Sequence, residues 1–129
     1  MKRVTGLGGV FFKCQNPNAM KEWYRKHLGI DSGEGGAMFK WRSEEDPAKM
    51  GVTAWALFAE SSTYFAPSTK QHMFNYRVEN LQALIETLRN EGVQILGDIV
   101  EYDYGKFGWV LDPEGNKIEL WEAVDDEPT

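Results

Sequence analysis

The chain repeats itself, and that repeat limits the folds open to it. An asparagine placed to cap a helix occurs at Asn16 and again sixty-four positions on at Asn80. Ala19 and Ala83 keep that spacing, as do Met20 and Leu84. The glycines that end the two helices, Gly29 and Gly92, are sixty-three apart. Phe39-x-Trp41 matches Phe107-x-Trp109, and Asp46-Pro47 matches Asp112-Pro113. The run Trp55-Ala56-Leu57-Phe58 matches Ile118-Glu119-Leu120-Trp121. Each half then reads as a strand, a helix and about three more strands. A duplicated unit of this kind predicts an α+β fold of two βαβββ modules, with cupped, mostly antiparallel sheets and the helices outside.

Local patterns place the elements. Val4 to Cys14 reads as a strand, and Asn16-Pro17 starts a helix that runs to about Leu28. Asp31 to Gly36 reads as a turn. Ala37 to Arg42 and Val52 to Ala59 follow as strands, and Ser61 to Gln71 is the best linker, with Tyr64 and Phe65 to anchor it. His72 to Val78 opens the second half, and Leu81, Leu84, Ile85 and Leu88 form the apolar stripe of its helix. Val93 to Asp98 and Ile99 to Asp103 are strand-like. The last hairpin alternates on both arms around Asp112-Pro113-Glu114-Gly115-Asn116, where Pro113 presets φ and Gly115 and Asn116 tolerate positive φ. Glu119 lies between the apolar Ile118 and Leu120; its bland reading is a solvent-facing residue.

That hairpin and the repeat together resemble the vicinal oxygen chelate superfamily, the glyoxalase, bleomycin-resistance and extradiol-dioxygenase group. The residues that carry the resemblance are the Tyr104-Gly105 start, the DPEGN turn and the closing Ile118-Glu119-Leu120-Trp121-Glu122. The resemblance implies one glyoxalase-like domain over 1–129, with module one at about 1–62, module two at about 70–124 and an acidic tail at 125–129. It implies a homodimer, for which Trp23, Tyr24, Tyr64 and Phe65 offer apolar surface. It also implies four metal-ligand positions in metal-using relatives, which fall here on Gly9, Ala56, Met73 and Glu119. Three of the four are not usual ligands, so no cofactor is expected. A divalent metal held by Glu119 and His72 is the alternative, but His72 is one residue out of step with Met73, and such a slip turns a strand side chain to the other face.

Alternation along the strands assembles a candidate cleft from Phe11, Phe58, Asn75, Trp109 and Trp121, with Glu119 and Arg77 as its charged groups. Apolar walls with sparse polar groups are the usual make-up of a small-molecule site. Arg77 either clamps an anionic ligand or neutralises Glu119. If the site is catalytic, Glu119 is the base and Arg77 the electrostatic partner. Two functions stand: a metal-free protein that binds a small molecule, with Arg77 suited to an anionic one, and a glyoxalase-like lyase, isomerase or dioxygenase with an altered metal site. His27, in the last turn of its helix, reads as a dipole partner.

Composition removes other classes. The formal net charge of -6 argues against nucleic acid. No apolar run approaches membrane-spanning length, and the first residues lack a signal-peptide pattern. The single cysteine, Cys14, fits a reducing, cytoplasmic setting and reads as a small buried hydrophobe.

Overall fold

The computed structural model describes residues 2–124; the acidic tail at 125–129 lies outside the described residues. The elements run β1 (Val4–Cys14), α1 (Pro17–Leu28), β2 (Ala37–Arg42), β3 (Met50–Ala59), β4 (His72–Val78), α2 (Leu81–Asn90), β5 (Gln94–Tyr102), β6 (Gly105–Leu111) and β7 (Lys117–Ala123). One mixed seven-stranded sheet takes the order β2-β3-β1-β4-β7-β6-β5.

The repeat is visible in that order. β1 and β4 pair antiparallel at the centre, β1 with β3 and β4 with β7 pair parallel, and β2 with β3 and β6 with β7 pair antiparallel. Asn16 and Asn80 each accept from the backbone N–H three residues on, Ala19 and Ala83, at 3.1 Å. Each such cap is worth about 1 kcal/mol. The α+β class is as expected, but the halves are unequal. The first has two strands after its helix, and a bridge between Gly33 and Gly36 stands where the second half has β5. The Gly-rich run before it supplies no alternating side chains to build a strand. In the second half, residues 94–102 form a single strand with a register break between Leu96 and Val100, where Gly97 takes φ 71°.

The two helices cover the same face with different force. Leu81, Leu84 and Ile85 of α2 are buried with Val78, Val110 and Leu120 in one core cluster. Burying each such side chain stabilises by about 1.5–3 kcal/mol. Helix α1 has no buried residue; Tyr24 meets the rings of Phe12 and Trp55 edge-on, with centroids 6.2 and 4.8 Å away. The last turn is built by Asp112, whose carboxylate accepts from the backbone of Glu114 and Asn116 and from the Asn116 amide at 2.7–2.9 Å. Those bonds hold the Asp112 carboxyl below its ordinary range.

Candidate functional site

With the helices on one face, strand parity sends alternate residues to the other. On β7, Ile118 and Leu120 pack toward α2, so Glu119 and Trp121 face away from it. On β4 the parallel pairing sets Asn75 opposite Glu119 and Arg77 opposite Trp121. These strands floor an open cleft of about 1330 Å³. Phe11, Phe58, Asn75, Trp109, Glu119 and Trp121 all line it.

Glu119 is the centre of the floor. It is 3% exposed, and its neighbours are hydrogen-bond donors. The Asn75 amide donates to one carboxylate oxygen at 2.6 Å. The Trp109 indole N–H donates to the other at 3.0 Å, and the Tyr64 hydroxyl donates to that same oxygen. A buried carboxylate needs such donors, since desolvation without them costs several kcal/mol. Lys117 adds a nearby positive charge; its ammonium bonds the Tyr64 carbonyl oxygen at 2.7 Å. Burial pulls the Lys117 ammonium down against the opposing pull of Glu119. Burial first, then the charge of Glu119 and the hydrogen bond to it, push the Tyr64 phenol well above the ordinary tyrosine range, so it stays a donor.

Tyr64 is the site residue that periodicity misses, because it lies on the connection between the halves. That connection is no slack linker. Phe65 is 0% exposed. It packs on Phe58 with centroids 5.1 Å apart, while Tyr64 stacks on Phe58 at 5.7 Å with planes 6° apart. The available signal was two adjacent aromatics in a stretch otherwise built of polar and small residues. The far wall is aromatic too. Tyr102 stacks on Tyr104, Phe107 stacks on Trp121, and both tyrosines meet Phe107 edge-on.

Arg77 lies beneath this wall and is not part of the cleft lining. It is 6% exposed, with its guanidinium between the rings of Trp41 and Trp121 at 5.0 and 5.1 Å, and it bonds the Val52 carbonyl oxygen at 3.2 Å. The lysines that line the cleft are Lys40 and Lys49. His72 stands on the opposite face from Glu119. It pairs with Phe12, and its ring meets Phe74, both out of phase with Asn75. The register breaks of this strand pair interrupt Val4/Gly6 and Leu7/Gly9 on β1, while the paired residues of β4 run on in sequence, so no bulge brings His72 round. The pairing of His72 with Glu119 as metal ligands is therefore corrected by parity.

Gly8, at that second break, is a place where only glycine fits. A Cβ there would lie 2.1 Å from the Asn75 amide oxygen and 3.1 Å from Cγ of Arg77. The residues present do not suit a divalent metal of the kind implied for metal-using relatives. Gly9 and Ala56 bring no donor, Met73 brings a soft thioether, and the oxygens of Glu119 are already bonded by N–H and O–H groups. Among the described residues, no group of three or more His, Cys, Asp or Glu is placed to hold an ion.

Residues 7–120 match the family model of the glyoxalase/bleomycin resistance protein/dioxygenase superfamily. No curated protein sequence matches significantly. Among solved structures, a methylmalonyl-CoA epimerase from Streptomyces coelicolor is 18% identical with a TM-score of 0.67, over 94% of this chain and 99% of that one. A methylmalonyl-CoA epimerase from Mycobacterium tuberculosis is 21% identical, with a TM-score of 0.62 over 96% and 91%. A Mn(II)-bound glyoxalase from Novosphingobium aromaticivorans is 13% identical, with a TM-score of 0.60, and all of this chain covers 44% of it. At such identities the likeness is one of fold.

Proposed function

The chain belongs to the glyoxalase/bleomycin resistance protein/dioxygenase superfamily, and we propose that within it this protein binds a small, flat aromatic molecule without the help of a metal. The observation that carries this reading is the state of Glu119. A metal-ligand carboxylate needs neighbouring ligands, which Gly9, Ala56 and Met73 do not supply. Glu119 instead accepts from Asn75, Trp109 and Tyr64, and all three line the cleft. Three hydrogen bonds take up most of a carboxylate's four lone-pair sites. The same arrangement leaves roughly one lone-pair site, on the oxygen that accepts from Asn75, open to a ligand. Arg77, enclosed by two indoles, then stiffens the floor and does not clamp an anion; Lys40 and Lys49 are the cations an acidic substituent would meet. The aromatic walls supply area for stacking, worth about 0.5–1.5 kcal/mol for each ring pair beyond burial.

The test is a titration of the intrinsic tryptophan fluorescence with a flat aromatic probe such as 2-methylnaphthalene, with and without a chelator. Saturable quenching that chelation leaves unchanged is expected. Binding or turnover that appears only when manganese or zinc is added would favour the enzymatic reading of an altered metal site.

A further inference from the structure

One polar atom of the cleft floor has no partner among the described residues. The amide oxygen of Asn75, a residue 1% exposed, is buried and accepts no hydrogen bond from any of them. The orientation of the amide is not arbitrary: its nitrogen donates to Glu119 at 2.6 Å, and turning the amide over would set two oxygens against each other. Buried acceptors are almost always satisfied, so one left open asks for an explanation. Its place gives one. Asn75 and Gly8 are both part of the cleft lining, and the oxygen lies where a Cβ of residue 8 would be. Glycine at position 8 and a bulge in β1 thus let an acceptor sit beside the carboxylate.

We infer that the cleft floor takes an N–H donor group of the ligand, such as a carboxamide or amidinium carried on the aromatic ring, with its hydrogens shared between Glu119 and the Asn75 amide oxygen. This rests on the reading of the cleft as a metal-free site for an aromatic molecule. Glu119 has roughly one lone-pair site left after its three bonds, and Asn75 adds a second acceptor next to it. Two adjacent acceptors match two hydrogens on one nitrogen group and repel a carboxylate. A site with buried polar groups discriminates strongly against an analogue that leaves them unpaired. The oxygen is closed over in the ligand-free protein, so a ligand's N–H reaches it by displacing a neighbouring lining group.

The experiment compares four probes of one shape on the intact chain: 2-naphthamide, 2-naphthamidine, 2-naphthoate and 2-methylnaphthalene. Tryptophan quenching gives each Kd. The amide and the amidine are expected to bind at least about tenfold more tightly than the naphthoate, the order expected for a site whose buried acceptors are left unpaired. Asn75→Leu, checked for folding by circular dichroism, is expected to erase most of that preference while the methylnaphthalene still binds. Equal binding of all four probes to the unaltered protein overturns the donor inference and leaves the aromatic cleft standing. So does a naphthoate that binds most tightly. If none of the four binds, the reading of the cleft falls and the inference falls with it. The comparison on the unaltered chain decides the matter even if Asn75→Leu does not fold.

Discussion

The hydroxyl of Tyr64 donates to the carboxylate of Glu119 across fifty-five positions of sequence, joining the connection between the two halves to the last strand of the second. A hydrogen bond to a charged group contributes about 1.5–3 kcal/mol. Tyr64→Phe keeps the ring stacked on Phe58 and removes only that donor. A loss of roughly that size is expected, read as a lower urea midpoint at an unchanged m-value. An unchanged midpoint would show that Trp109 and Asn75 suffice for the carboxylate.

The same contact has a pH signature. The phenol of Tyr64 is raised in the folded chain, so folding favours its protonated form. The stability it contributes is fully present below the ordinary tyrosine value of about 10. It is lost as the pH rises from there toward the folded value. Absorbance of ionised tyrosine near 295 nm, an ordinary phenolate band, compared between the parent and Tyr64→Phe, should show the Tyr64 phenolate forming only as the protein unfolds. A Tyr64 contribution near the ordinary value in the folded chain would contradict this.

Gly8→Ala and Gly6→Ala make a matched pair. A Cβ at Gly8 meets the Asn75 amide oxygen at 2.1 Å, while one at Gly6 meets nothing within 4 Å. Forcing a methyl into a packed site costs about 1–3 kcal/mol. Gly8→Ala should therefore destabilise by that order and disturb the near-ultraviolet circular dichroism of the tryptophans. Gly6→Ala should stay within about 0.5 kcal/mol of the parent. Thermal melts separate the two.

The helices predict unequal sensitivity. Leu81→Ala empties a fully buried position in the α2 core and should cost about 2–5 kcal/mol. Leu28→Ala, at the end of α1 where the side chain is 59% exposed, should change stability by less than about 0.5 kcal/mol. Comparable losses at the two sites would mean that α1 packs more tightly than its contacts suggest.

A homodimer is the expected assembly, on altered grounds. Of the four aromatics first offered as its surface, Phe65 is buried and Tyr64 is tied to Glu119. Tyr24 packs against Phe12 and Trp55, which leaves Trp23, half exposed. Met38 and Phe39 of β2 and Tyr102 and Tyr104 at the opposite end of the sheet are also exposed. Apolar surface of this kind marks contact sites. Sedimentation at micromolar concentration should give a species of twice the chain mass; a monomer alone would count against it.

How far the sequence could be read depended on periodicity. A strand fixes the face of every second residue, so the side of Glu119, Asn75, Trp121, Phe11 and Phe58 followed from which neighbours had to meet a helix. The same rule put His72 on the wrong side for Glu119. The paired capping asparagines located both helices. What periodicity does not reach stayed hidden. Tyr64 lies in a loop, where no alternation operates. Whether Arg77 reached the cleft or lay beneath it depended on where the rings of Trp41 and Trp121 settled, which is a matter of packing and not of register. The outer strand missing from the first half was obscured because a Gly-rich run can turn or extend equally well.

The connection between the halves also bears on where this chain tolerates damage. A joining segment ordinarily has only to bridge a gap, and proteases cut such segments with little harm. Here residues 61–71 deliver Tyr64 to the floor and Phe65 to the interior. A nick beside Tyr64 would leave every strand pairing in place and still unfasten one of the carboxylate's three donors. A nick in the Asp112–Asn116 turn would not. The wear points of this protein therefore do not coincide with its seams.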